Sequence, residues 1–395
     1  MPISSILSAL LLGGVALGAE GPARRLVVRH EGPRALDVAV LAEVDPTITA
    51  GNYRLRAPGE ALPAAVATAW VEGGKTRMAA VFKVLEHGER RFELDPVGKA
   101  EGGMTIVADG PARLKVAVGG SPFTEARTDL GPKPILYPLI GPTGAAMTRA
   151  YPMATVAGED RDHPHHRSVW FTHGQVNDVD FWSELPGHGA IRQRPEPFVR
   201  DGLAVATLRT ADDWVGPDGS TVVEDERTWR FYPNRSIDLE VTLKATHGPV
   251  KLGDTKEGTL GLRVASSMDA NRKPGGTITN AEGLVDQAAW GKASAWVDYT
   301  GPVEGEVVGV AIMDHPSSFR HPTTWHVRDY GLFAANPFGY HDFGMKKRGD
   351  FTVPAGESVT FRYRIMPHVG EPSREELAAA YAAFARPPRF VPADD

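Results

Sequence analysis

TVVEDERTWRF (Thr221–Phe231) and IDLEVTLKA (Ile237–Ala245) decide how this chain is read. In the second, Ile237, Leu239, Val241, Leu243 and Ala245 fall on every other residue, and in the first Val223, Trp229 and Phe231 keep the same spacing. A period of two lines one face of a strand. The pair therefore predicts an antiparallel hairpin turning across Tyr232–Arg235. On either side lie SVWFTHGQV, LAVATLRTADDWV, GTLGLRVASSM, ASAWVDYTG, VVGVAIMD, YGLFAANPF and VTFRYRIMPHV, with no helical period between them. Strands in such a run, without crossover helices, predict an all-β fold: a large antiparallel sandwich over residues 111–372.

Upstream, LVVRH, ALDVAVLAEV, MAAVFKVLE, RFELD, MTIVA and RLKVAV are short and separated by turn residues. They predict a small Ig-like β-sandwich domain, placed at about residues 20–110. Between the two regions, Gly119–Pro142 carries prolines at 122, 132, 134, 138 and 142 and reads as an extended crossing, a linker or a pocket rim. One helix is expected, in the segment 373–395, where Ser373 and Glu376 form a capping box ahead of ELAAAYAAFA.

Composition sets the limits. With 395 residues, a net charge of -6 and a pI near 6.1, the chain has no basic field, so no nucleic-acid partner is expected. No P-loop, G-x-G-x-x-G after a strand or G-x-S-x-G elbow is present, which removes the readings of a nucleotide cofactor and a serine hydrolase. The first 19 residues hold an apolar run, Ile6–Leu17, too short to span a bilayer and ending in small residues. They read as a signal peptide and predict a periplasmic or secreted protein, with no membrane span in the remainder. The absence of cysteine suits a periplasm.

The densest chemistry is in DHPHHRSVWFTHGQVNDVDFW (162–182). If DHPHH is extended, His163 and His165 share one face, with Asp162 and His166 on the other. His163, His165 and His166 are candidate proton-transfer groups. One divalent metal ion, if bound, would take His163 and His165 with a third ligand such as His326, although the spacing matches no known metal signature. HPTTWHVRDYG adds His326 as a further catalytic imidazole, Trp325 as a sugar platform and Arg328 as a fork for a carboxylate or vicinal hydroxyls. A salt bridge from Arg328 to Asp329 or Asp342, with Trp325 in the core, is the competing reading. Trp170, Asn177, Asp180 and Lys256 complete the candidate substrate-binding set. The bland alternatives are histidines bonded to loops and a charged turn at Asp254–Glu257.

The segments YPLIGPTG (137–144), DHPHHRSVWFTHGQVNDVDFW (162–182), GDTKEGTLGLRVASSM (253–268), WGKASAWVDYTGPVEGEVVGVAIMDHP (290–316) and HPTTWHVRDYGLFAANPFG (321–339) together resemble a bacterial family of unknown function labelled PmoA-like, after a methane oxygenase subunit. The resemblance implies a galactose-mutarotase-like supersandwich holding a sugar on its concave face, with Glu257 as the acidic base among the strands lining the pocket. It implies a secreted or periplasmic carbohydrate-active enzyme, a hydrolase or lyase using imidazole and carboxylate groups with or without a metal. The alternatives are a non-catalytic glycan-binding protein and, as the label suggests, a metal-dependent oxygenase.

Overall fold

The computed structural model describes residues 24–98 and 102–393; the expected signal peptide over residues 1–19 lies outside them. The hairpin forms as predicted, with Trp229 opposite Leu239 and Phe231 opposite Ile237. It sits in the middle of a nine-stranded sheet that runs from Ala190–Gln193 through Ile237–Lys244 and Ser358–Val369 to Thr277–Asn280. Facing it is an eight-stranded sheet in the order Trp325–Val327, Leu332–Ala335, Gly258–Arg263, Val169–His173, Ile135–Leu136, Ser121–Arg127, Arg113–Val118 and Met104–Ala108. Neighbouring strands are antiparallel in both. One apolar core joins the sheets, with Phe171, Leu260, Leu262 and Phe333 from one side meeting Phe231, Leu239, Val241 and Phe361 from the other. The large antiparallel sandwich is thus present.

The alternation in Thr221–Phe231 also buries charge. Asp225 and Arg227 share the inward parity of Trp229 and Phe231, and both are sealed from solvent. Arg227 Nη2 donates to Asp225 Oδ2 (2.7 Å), Trp214 Nε1 donates to the same oxygen (2.6 Å), and Asp212 lies 3.3 Å from Arg227 Nε. Burial of this kind survives only when each charge has a partner.

The expected small sandwich takes the form of one seven-stranded sheet. It curls until its edge strands, Ala35–Val44 and the C-terminal Arg389–Pro392, approach each other. Its core is completed by Leu377, Ala379, Ala380 and Ala383 of the helix Arg374–Ala385 and by Trp296, Ala311 and Met313 of the large sandwich. MTIVA, inside the 20–110 expected for the small module, instead pairs with RLKVAV, which lies in the 111–372 sandwich, and both extend the eight-stranded sheet. Met104, Ile106 and Val116 bury their side chains in the large core, which accounts for the transfer. The capping box forms, Glu376 N donating to Ser373 Oγ (3.2 Å) and Ser373 N to Glu376 Oε2 (2.8 Å).

Candidate functional site

Strand alternation on the eight-stranded sheet sorts the predicted residues. Trp325, Val327, Phe333, Ala335, Leu260, Leu262 and Phe171 point into the core between the sheets. The opposite face carries Trp170, Ile135, Leu332 and Ala334, which form a second apolar layer with Trp182. His326, Gly261 and Arg263 alternate onto that same face. Gly261 has a local role there, since a Cβ at this position would run into the Trp170 ring. The indole lies across the neighbouring strand and serves as the floor of the site.

On this floor sits DHPHH, and it is a turn, not a strand. His166 N donates to His163 O (3.0 Å), with Pro164 next after His163, and His163 adopts φ of 43°. Proline sets the backbone angle that the second position of a turn requires. The two-face arrangement expected of an extended segment therefore does not occur. All three imidazoles gather, with ring centroids 4.5 Å (His165–His166), 4.8 Å (His163–His166) and 5.7 Å (His163–His165) apart. His163 is also parallel to Tyr330 at 4.9 Å, and His166 is stacked on Trp170 at 5.4 Å.

The three rings have different chemistry. His163 Nδ1 lies 2.8 Å from Asp162 Oδ2, and its side chain is 39% exposed. An ionised carboxylate only accepts, so Nδ1 carries the proton and Nε2 is left unprotonated. Partial burial opposes the charge on Asp162, but Arg263, the hydrogen bond from His163 and Arg149 together hold its carboxyl below the usual range. Both arginines have fully buried side chains. Arg263 Nη2 donates to Asp162 Oδ1 (2.9 Å), and Arg149 Nη1 donates to the same atom. His165 is kept neutral by burial and by the nearby Lys133 and His163, its pKa brought down to about 4. His166, only 1% exposed, accepts at Nδ1 from Arg263 Nη1 (3.2 Å). Burial holds its pKa well below the ordinary value, so it supports the ring stack and has no route to a substrate.

The segment 321–330 and the turn before Gly258 supply the rest. His326 is buried and accepts at Nδ1 from Trp290 Nε1 (2.9 Å), which leaves the proton on Nε2. Burial first, then Arg328 and Lys256, bring its pKa down to about 3. It is thus a fixed N–H donor. Glu257 follows Lys256 in the turn, and its carbonyl accepts from Gly174 N (2.6 Å). Burial pushes its carboxyl up, with Asp180 and Asp342 adding to the effect against Lys256, whose Nζ is 3.7 Å away. A raised carboxyl holds its proton to higher pH than a free one, which favours an acid role for Glu257.

Several predicted ligand-binding residues are committed elsewhere. Trp325 is fully buried in the sandwich core, with Nε1 donating to Ser294 O (2.9 Å). Trp170 is equally buried beneath His166, so neither indole can stack on a sugar. Asn177 ties two loops together, donating to Pro249 O (3.2 Å) and accepting from Lys251 N (2.7 Å). Asp180 Oδ1 accepts from the backbone amides of Trp182 (2.7 Å) and Ser183 (3.0 Å). The metal reading also lacks a ligand set. Among the described residues no three His, Cys, Asp or Glu side chains converge as metal donors. The His163 and His166 rings lie face to face, and His326 has given Nδ1 to Trp290.

Residues missed in the sequence fill those places. The aromatic side chains that reach the surface beside His163 and His326 are Tyr330, Trp290 and Phe343. Lys133, from the proline-rich crossing, is sealed against the floor, 2.6 Å from Glu184 Oε1 and 5.9 Å from the Trp170 ring. Burial outweighs Glu184 and brings its pKa down to about 8. The only sequence signal for Lys133 was its position in a rim-like segment. Tyr330 and Trp290 stood in quoted motifs without an assigned role.

No helix among the described residues is long and apolar enough to cross a membrane. Among curated proteins, no sequence matches the chain. Among solved structures, similarity is found to a protein in glycosyl hydrolase family 38 from Enterococcus faecalis, at 10% identity and a TM-score of 0.39, over 94% of this chain and 47% of that one. The chain spans about half the length of that structure. Residues 113–382, more than half of the chain, match a family described as "Family of unknown function (DUF6807)", and the chain belongs to that family.

Proposed function

We propose that this protein is an exported carbohydrate-active enzyme, a hydrolase or lyase, working by imidazole and carboxyl acid–base chemistry on the open face of the eight-stranded sheet. The carrying observation is the Asp162–His163 pair, in which an ionised carboxylate fixed by two buried arginines orients a half-exposed imidazole with Nε2 free. A purely structural histidine cluster does not need such an arrangement at its solvent edge. His163 Nε2 takes a proton, either from water that attacks the glycosidic carbon or from a carbon acid of the sugar. Glu257, whose carboxyl is raised by burial, gives its proton to the departing oxygen. His326 Nε2–H and the Trp290 and Tyr330 side chains orient the sugar between them.

The test is incubation of the protein with plant, algal and 3-oxidised glycosides. Turnover by wild type, lost by about 100-fold or more in His163→Gln with binding retained, is the expected result for removal of a general base. Binding without turnover in the wild type, unaltered in His163→Gln, would instead establish a glycan-binding protein.

A further inference from the structure

Among the described residues Arg328 forms no ion pair. Neither acid expected to pair with it does so: Asp342 Oδ2 accepts from Lys256 N (2.8 Å), and Asp329 is exposed and forms no ion pair among the described residues. The guanidinium is instead held by rings, 5.3 Å from the Tyr330 centroid and 5.9 Å from that of Trp290. Ring contacts fix the fork's plane and leave its N–H groups unspent. Lys256, 41% exposed, adds a second cation, with its Nζ 3.7 Å from Glu257 Oε1. Arg328 lies over the Trp290 ring, whose Nε1 donates to His326 Nδ1, and the Lys256 backbone packs at Gly339 together with Phe343, whose ring is 6.3 Å from His326. A guanidinium with no ion-pair partner among the described residues, in a site that also carries the partly exposed Lys256 ammonium, suits an anion.

We infer that the sugar taken by this site is acidic, a uronate whose carboxylate is received by the Arg328 fork with Lys256 alongside. This rests on the sugar-processing reading and specifies its substrate class. Neutralising the carboxylate acidifies the adjacent C5–H, so the reaction class is β-elimination. The C5–H bond breaks and its proton goes to His163 Nε2. The electron pair forms the C4=C5 double bond, the C4–O bond breaks, and the leaving oxygen takes the proton of Glu257.

The experiment compares uronate oligosaccharides (oligogalacturonates, oligoalginates and glucuronoxylan fragments) with the same molecules after reduction of their carboxyl groups to alcohols. Binding is measured by calorimetry, and elimination by the ultraviolet absorbance of the unsaturated product. The expected result is that wild type prefers at least one acidic form over its reduced counterpart by about 10- to 100-fold, the worth of a charge-assisted bidentate contact. Arg328→Gln abolishes the preference and Arg328→Lys keeps part of it, each with an unchanged circular dichroism spectrum. Equal or tighter binding of the reduced sugars by wild type, or an undiminished preference in folded Arg328→Gln, overturns the acidic-sugar inference while leaving the sugar-processing reading intact. Failure of wild type to bind or turn over any glycan, acidic or neutral, in this set and in the wider panel overturns both.

Discussion

Replacing Asp162 with Asn changes one atom's identity in the site and tests the geometry without knowledge of the substrate. Oδ1 of Asp162 faces Arg149 Nη1 and Arg263 Nη2, both donors, while Oδ2 faces His163 Nδ1. An asparagine must therefore keep its oxygen toward the arginines and turn its NH2 toward His163. The imidazole then accepts at Nδ1, its proton moves to Nε2, and the base at Nε2 is gone. Activity should fall by about 10²- to 10⁴-fold, the contribution of a general base. Stability should fall as well. Breaking a fully buried pair costs about 3–5 kcal/mol and an exposed one under about 1 kcal/mol. Both arginines are 0% exposed in their side chains but Asp162 is 38% exposed. The intermediate case puts Asp162→Asn at about 2–3 kcal/mol near pH 7. Because the folded pKa of Asp162 lies below its unfolded value, this contribution is full above about pH 4 and is lost as pH falls through the folded pKa. The deficit of the variant should shrink accordingly in acid. Heteronuclear NMR of the imidazole nitrogens reads the tautomer, and urea titrations at several pH values read the stability. A variant with wild-type stability at pH 7 and the His163 proton still on Nδ1 would refute the assignment.

Two further substitutions probe what holds the site in place. Gly261→Ala should cost about 1–3 kcal/mol by forcing the Trp170 indole off the neighbouring strand; an unchanged urea midpoint would show that the floor is not packed as described. Arg227→Met leaves Asp212 and Asp225 buried in the sandwich without their cation and should cost about 3–5 kcal/mol at neutral pH. Asp212→Asn should be far milder. Burial raises the folded pKa of Asp212, so its native-state proton is bound more tightly than in the unfolded chain, and stability declines as pH climbs from the unfolded value through the folded one. The Asn variant should flatten that decline, and parallel midpoints for it and wild type between acid and neutral pH would contradict the assignment.

Much of this protein was written into local sequence. Alternation at Ile237–Ala245 specifies a strand whatever surrounds it, because successive side chains must leave opposite faces. Ser373 and Glu376 specify the start of the helix, because the capping box satisfies amides within one turn. The same holds for the crowding of His, Asp and aromatic residues that marked 162–182. The rest depended on which face was covered. Trp325 and His326 are neighbours in one strand, and parity alone sends them to opposite sides without saying which side is the core. Packing against Phe333, which itself rests on Tyr299, took the indole inward and left the imidazole with Trp290, Arg328 and Lys256, residues from three separate segments. Tertiary packing likewise carried Met104–Ala108 from the small sheet to the large one, and aligned Asp162 with Arg149, 13 residues away, and Arg263, 101 residues away. A period of two fixes the relation between adjacent side chains, but burial, charge pairing and proton position belong to the neighbours that only the folded chain supplies.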